Sequence, residues 1–591
     1  MKPERPDFII KPRILLSLEA LQAFKAKTLA LFVAAIGFLA ALGCFTYSAP
    51  SLAPATAPHA ALGVSSLLKA GSYTALRMGV ALCAATVFAG AYAVAVHGNR
   101  YLRLALKPLH DVIQAMPALV LFFLVVIVGH SVVSPGIAQS DGVILFTLTM
   151  ALFGRLASSF HHSLKTLPAD LEELAQSLNL TTWQKFWKIE CPSSFPVLVL
   201  NASLAMAEAW FALLCMEGFF AGANARDMVS GIGAFAHAAA MQHSVWGVLK
   251  AALVAVVVLI VYDQFLFRPL IAWSTRFQMA ATMPDDVAEP WFLRFLRRNR
   301  FFESFAEQQR KAWHQFSMVP LGGRVLQHGD KWPYTQPNAD KLIRLGLKVA
   351  SVVFCLAGVV FAILFSVKTY SLHTYGHIAL SGSASLARVL AMLVLCSLFW
   401  VPIAVYIGRK PKVARLTLNV VYYLSLFPAN IFYPLFALGF VVCHVSANVW
   451  VAPILLLGGQ FIVFSAVVEG MLAFPASLLD VGKNFQVQGW LLWRKMLLPG
   501  ILPYYIVGLS VASASAWNAV MAVEVMSWGN APLTVFGLGA YIQNAINNGE
   551  ISAAALAVST LVLLIMLLNL LVWQPLTRSL CRALKITDEA H

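Results

Sequence analysis

The stretch PADLEELAQSLNLTTWQKFWKIECPSSFP, Pro168–Pro196, returns as PASLLDVGKNFQVQGWLLWRKMLLPGILP, Pro475–Pro503. The two align without a gap, 307 residues apart, and Pro168/Pro475, Trp183/Trp490, Lys188/Lys495, Pro192/Pro499 and Pro196/Pro503 coincide. The register continues into the next apolar segment, where Trp210/Trp517 and Glu217/Glu524 coincide. Each copy is a polar, basic interruption between two apolar runs of membrane-crossing length. A repeat of this period in such a chain means a duplicated membrane domain.

The copies agree elsewhere. Arg77 and Arg388 begin corresponding spans 311 residues apart, and Pro117-Ala118 and Pro428-Ala429 sit in the next spans at the same offset. The closing motifs Phe267–Leu270 (FRPL) and Trp573–Leu576 (WQPL) are 306 apart, so the drift in offset reflects loop length only.

Composition agrees with a membrane chain. Of 591 residues, 60% are hydrophobic and 12% charged, with mean hydropathy +0.76, more apolar surface than a soluble protein of this size can bury. The net charge of +16 is spread over loops flanking apolar spans, which is the positive-inside pattern and not a nucleic-acid patch. None of the eight cysteines forms a C-x-x-C and most lie in apolar runs, so they read as small core residues. His161-His162 ends a helix beside a basic loop and reads as an interfacial pair, not a metal ligand set.

Twelve spans are expected, near 28–47, 73–97, 109–129, 142–164, 196–222, 246–268, 342–366, 384–407, 416–442, 449–473, 501–528 and 551–573. They divide the chain into a cytoplasmic segment 1–27, a first domain 28–268, a linker 269–341, a second domain 342–573 and a tail 574–591. Loop charge places both termini in the cytoplasm, with Arg226 the exception on the outer side. The loop 48–71 is read as external. The fold class is all-α polytopic. An even number of spans per half makes the repeat parallel, so the pseudo-two-fold runs along the membrane normal. In the linker, Trp291, Phe292, Phe295, Leu296, Phe301, Phe302 and Phe305 alternate with Arg294, Arg297, Arg298, Arg300 and Arg310, a pattern suited to the inner membrane surface. A plain joiner between the two bundles is an equal reading.

The repeated stretch resembles the cytoplasmic EAA loop of ABC-importer permeases. Glu173-Leu174-Ala175 and Asp480-Val481-Gly482 occupy the place of that triplet, and Asn179 and Gln486 that of its glycine. Asn tolerates positive φ better than Gln, so the bend is expected to be less secure in the second copy. Ala209-Trp210 to Glu217, Ala516-Trp517 to Glu524, and the later Gly231/Gly233 and Gly537/Gly539 are similar to the nitrate/sulfonate/taurine branch. The resemblance implies coupling loops at 168–192 and 475–499, with Glu173, Ala175, Asn179, Trp183, Asp480, Gly482, Gln486 and Trp490 meeting two ATPase subunits. It also implies a periplasmic or lipoprotein solute-binding protein, an inner-membrane location, and ATP and Mg held by the partner. The chain has no G-x-x-x-x-G-K-[ST] and is therefore a translocation pore, not an enzyme. The implied solute is a small anion, nitrate-, sulfonate- or carboxylate-like. A permease for iron, thiamine or polyamine, an ion-coupled secondary transporter and a membrane scaffold are the other readings.

Read from the residues alone, each loop should be a helix pair. Proline opens the first helix, acids occupy its first turn, and Leu171, Leu174, Ala175 and Leu178 share one face. Thr181 and Gln184 suggest a capping box for a second helix Thr182–Glu190, which Pro192 should stop. An ordinary amphipathic interfacial loop is the plainer alternative.

Charges within spans mark candidate sites. Arg77–Glu217 and Arg388–Glu524 are expected to pair near the outer mouth as a gate, as a contact for an anionic solute, or as a structural clamp. Arg155 and Glu208 occur only in the first half, where the second has Ile462 and Ser515, and are expected to pair with each other. Trp210, Trp517 and Asn518 lie at similar depth and are candidates to line a path, with core packing the alternative for the tryptophans.

Overall fold

The computed structural model describes residues 62–98, 100–129, 141–223, 231–277, 291–292, 294, 315–319, 371–528, 531–532 and 535–583. The expected spans 28–47 and 342–366, the amino-terminal segment and most of the linker lie outside them.

Among the described residues each half contributes ten α-helices in the same order. The first half has α1 Val64–Gly98, α2 Arg100–Ala115, α3 Ala118–Val128, α4 Asp141–Lys165, α5 Ala169–Ser177, α6 Thr182–Lys185, α7 Cys191–Ala223, α8 Ile232–Met241, α9 Val245–Val261 and α10 Arg268–Ser274. The second has α11 Leu372–Gly408, α12 Pro411–Leu426, α13 Tyr433–Val442, α14 Ala447–Leu472, α15 Ala476–Asn484, α16 Gly489–Leu492, α17 Leu498–Glu524, α18 Leu538–Asn547, α19 Ile551–Leu568 and α20 Gln574–Ala583. Element n of the first half thus corresponds to element n + 10 of the second. Ser527–Trp528 and Ala531–Pro532 pair as a two-residue antiparallel ribbon.

Among the described residues, eight helical stretches are long and apolar enough to cross a bilayer, and ten if two bent pairs each count as one span. These ten match ten of the twelve expected spans. The bent pairs correct two of them. The segments expected as continuous, 109–129 and 416–442, turn by 114° and 58°, at Pro117 and Pro428. Proline disfavours the α region for the residue before it, and Phe427, ahead of Pro428, is extended at ψ 122. A second correction concerns the outer loop. The stretch read as loop up to residue 71 is helical from Val64, so Arg77 lies thirteen residues inside α1 and not near its start. Arg388 likewise lies sixteen residues inside α11.

Proline also shapes the ends of the loops, and differently from the expectation. Pro192 does not stop the second loop helix; the chain runs on from α6 through a π-turn, Phe186–Glu190, into α7. The same construction joins α16 to α17 through Trp493–Leu497, follows α9 at Tyr262–Phe267, and follows α19 at Asn569–Trp573. In all four the proline is the second residue after the π-turn: Pro192, Pro499, Pro269 and Pro575. Proline cannot donate to the carbonyl four residues back and its ring crowds that carbonyl. The wider turn, in which Cys191 N–H reaches Phe186 O, opens the helix just before it.

One apolar core runs through both halves, from Met78 and Phe122 to Phe464 and Trp517. Large apolar side chains on the outside stay uncovered, among them Leu253 and Val257 on α9 and Leu398 and Phe399 on α11. Such surface is stable against lipid tails and unfavourable in water. The chain is a multi-pass, all-α membrane protein built of tandem halves.

Candidate functional site

Both loops leave the carboxyl end of an equivalent helix, α4 or α14, and enter the amino end of α7 or α17. Helix α5 ends in a Schellman turn: Leu180 N–H bonds Ala175 O at 3.0 Å and Asn179 N–H bonds Gln176 O at 2.9 Å. Asn179 has φ +48. Helix α15 ends the same way, with Val487 N–H on Gly482 O at 2.9 Å and Gln486 at φ +53. The expected weakness of the second bend is therefore not seen; the repeated hydrogen bond holds Gln486 in the left-handed region despite its side chain. Ala175 is fully buried, and at Gly482 an added Cβ would stand 2.9 Å from Met496 Sδ. Small residues are needed there because the two short helices touch. Thr181 and Gln184 form the capping box, at 3.3 and 3.0 Å.

The loops differ in what covers them. Glu173, Leu174 and Leu178 are exposed on the first, and Asp480, Val481 and Phe485 on the second. Trp490 is 72% exposed. Its counterpart Trp183 is half-buried, with linker residue Phe316 on it and Met318 on the neighbouring Gln184: Trp183 Nε1 donates to Phe316 O at 3.0 Å and Gln184 Nε2 to Met318 O at 2.9 Å. The Phe316 ring also meets Trp183 and Trp187 edge-on.

At the other end of α7, Glu217 is completely buried and fully used. Arg77 Nη1 donates to it at 2.7 Å, Thr74 Oγ1 at 2.9 Å, and the Gly233 amide at 3.0 Å, while Ile232 N–H donates to Thr74 Oγ1 at 2.9 Å. Arg77 also reaches Asp141 at 3.0 Å. The second half repeats the arrangement with Arg388 at 2.7 Å, Ser385 at 2.7 Å and Gly539 N–H at 2.7 Å on Glu524, and Leu538 N–H on Ser385 at 3.0 Å. Each glutamate thus caps the amino end of a short helix, α8 or α18, where unpaired amides favour an anion. This explains the Gly-x-Gly motif. A Cβ on Gly231 or Gly537 would fall 2.2 Å from the glutamate carboxyl carbon, and one on Gly233 2.1 Å from Leu214 O. The Arg–Glu contacts hold three elements together in each half, and each arginine is engaged by a carboxylate.

Between these levels, a chain of polar contacts crosses from one half to the other. Arg155 pairs with Glu208. Glu208 accepts from Asn518 Nδ2 at 2.9 Å, and Asn518 Oδ1 accepts from Leu119 N–H at 3.0 Å. Glu208 is the eighteenth residue of α7 and Asn518 the twenty-first of α17, so corresponding helices meet at nearly equal depth. Ser515, in place of a second glutamate, bonds Gly458 O within its own half. Trp210 and Trp517 are buried in the core, Trp210 against Tyr262, and neither lines the cavity between the halves.

A cavity of about 840 Å³ opens between the halves near the buried glutamates. Of the seventeen candidate site residues only Glu524 lines it, beside Gly233 and Gly537 of the Gly-x-Gly motifs. The polar lining comes mostly from residues the sequence reading did not single out: His237 on α8, Asn430 and Tyr433 beside α13, and Gln543, Asn544 and Asn547 on α18. The buried Tyr433 hydroxyl and Asn430 Oδ1 have no hydrogen-bond partner among the described residues. At the positions matching Asn430 and Tyr433 the first half has Leu119 and Phe122, and this departure from the repeat was the available signal. No lysine or arginine lines the cavity among the described residues.

The profile of a family described as "Binding-protein-dependent transport system inner membrane component" matches residues 85–268 and again 400–573. The bicarbonate transport system permease protein CmpB of Synechocystis sp. is 32% identical over 90 residues, 15% of this chain and 30% of that protein. The nitrate import permease protein NrtB of Leptolyngbya laminosa is 31% identical over 103 residues, 17% of this chain and 35% of that protein. The aligned stretch spans about a third of each relative's length.

Proposed function

The chain belongs to the family of binding-protein-dependent transport system inner membrane components, and we propose from this that it is the whole permease of an ABC importer, two permease domains fused in one polypeptide. The family implies a solute-binding protein and an ATPase as partners; the fusion assigns one ATPase subunit to each loop, 168–192 and 475–499. The observation carrying this reading is the presence of two loops of the same helical construction, each with exposed residues and each joined by a π-turn to a helix whose far end meets the cavity level. Displacement of a loop pulls a continuous helix, and α17 alone spans about 40 Å at 1.5 Å per residue. ATP and Mg belong to the partner. Both termini are assigned to the cytoplasm of an inner-membrane protein.

The proposed solute is a small anion. The support is the printed function of two partial relatives, bicarbonate and nitrate transport. Arg77 and Arg388 are engaged by carboxylates and stand outside the cavity lining. The anion would instead meet neutral donors, the Tyr433 hydroxyl and the amides of Gln543, Asn544 and Asn547. Weak, neutral contacts suit a path that must release what it takes up.

The test is uptake by vesicles containing the chain, its co-purified ATPase and the binding protein. Uptake should require ATP and stop when the ATPase phosphate-binding lysine is changed to alanine. Uptake driven by an ion gradient without ATP would overturn the reading.

A further inference from the structure

A second cavity, of about 240 Å³, lies under the first loop, at the loop-bearing end of the bundle. Its polar lining is His97, Arg103, His161, Lys165, Glu172 and Lys185. Two of these cations are already matched or braced. Lys185 bonds Glu172 at 2.8 Å and stands 3.4 Å from Glu190. Arg103 Nε donates to Val96 O at 3.1 Å, which leaves its two terminal nitrogens for another acceptor. Arg103 and Lys165 form no ion pair among the described residues. Both ring nitrogens of His161 are buried without a hydrogen-bond partner among the described residues.

The second half shows what this place looks like when it serves packing alone. At the offsets of the repeat, His161, Lys165, Glu172 and Lys185 become Val468, Leu472, Leu479 and Leu492, while His97 and Arg103 become Gly408 and Ala414. The space is also closed: Gly408 lies so near Met471 that an added Cβ would stand 2.4 Å from its Cβ, and Ala414 is fully buried. The fold therefore needs neither a cavity nor polar groups here. The first half keeps both.

We propose that this cavity binds a small inorganic oxyanion of the phosphate or sulfate class. Arg103 offers a planar pair of donors, Lys165 a point charge and His161 a ring donor, the set that oxyanions take. The volume is roughly eight times water's share of liquid volume, enough for a tetrahedral anion with a few waters and too small for a nucleotide. One wall carries Glu172 and Lys185 of the loop itself, so an occupant ties α5 and α6 to the ends of α1 and α4. The site does not depend on the permease reading, and its test involves no transport.

The full chain, purified in a neutral detergent, is titrated calorimetrically with sodium phosphate, sodium sulfate and sodium chloride. Phosphate or sulfate is expected to bind at one site per chain, with chloride much weaker. Arg103→Gln and Lys165→Gln should each weaken binding roughly tenfold, since each removes one charge-assisted contact. Both side chains are exposed, so the variants should keep the wild-type melting temperature without anion and lose the rise that phosphate gives. Arg494→Gln in the second loop should bind as wild type. Absence of binding to the wild-type chain, equal affinity in the Arg103 and Lys165 variants, or equally tight chloride would overturn the proposal. Competition by phosphatidylglycerol at low millimolar phosphate would reassign the site to a lipid headgroup and also overturn it.

Discussion

Asn518 donates to Glu208 at 2.9 Å across the boundary between the halves, and the same side chain accepts from the Leu119 amide at 3.0 Å. One buried amide group therefore joins three helices, α17, α7 and α3. Asn518→Leu should cost about 2–4 kcal/mol, since one lost bond is to a carboxylate and the other leaves a buried amide unpaired. Thermal unfolding in detergent checks the value. Asn518→Asp should be worse than Leu, because it faces Glu208 with a second carboxylate.

Gly537→Ala should abolish accumulation of folded protein, because its Cβ would stand 2.2 Å from the Glu524 carboxyl carbon. Gly231→Ala should do the same through Glu217. Gly439→Ala in α13, where an added Cβ meets nothing within 4 Å, should be neutral or slightly stabilising. Yield of monodisperse protein on size exclusion separates the three.

Lys185→Leu should destabilise the first loop by about 1–3 kcal/mol, because Glu190 is buried and loses its cation. Glu172 is half exposed and should add little. The second half uses Leu479, Leu492 and Leu497 at these three places. The triple change Glu172→Leu, Lys185→Leu, Glu190→Leu should therefore recover most of the loss. Melting temperatures of the single and triple variants in anion-free buffer decide it.

Trp490→Ala should leave stability within about 0.5 kcal/mol of wild type, because the side chain is largely exposed. It should nevertheless weaken capture of the ATPase partner. Retained capture with a lowered melting temperature would assign Trp490 to packing instead.

How much the sequence revealed depends on whether a feature repeats. The pairing of Trp183 with Trp490 and the Thr181–Gln184 box were legible from register and local capping chemistry, whereas the left-handed bend at Asn179 rested on the resemblance and the one at Gln486 was expected to be less secure than it is. The meeting of Arg77 with Glu217, and of Arg388 with Glu524, followed from their shared register. The glutamates' role as helix caps did not, since it rests on the clearance above Gly231 and Gly537, which no sequence pattern displays. Nor did the breaks at Pro117 and Pro428, where apolar runs on both sides hid the turn. The cavity lining is silent in the sequence for the opposite reason: Asn430 and Tyr433 lie where the repeat fails, so periodicity does not display them.

The backbone of a Phe316 peptide sits on Trp183, and nothing among the described residues sits on Trp490. If the proposed ATPase partner is a pair of identical subunits, its two members would meet different surfaces on this chain, and only the second loop's tryptophan is open to them as it stands.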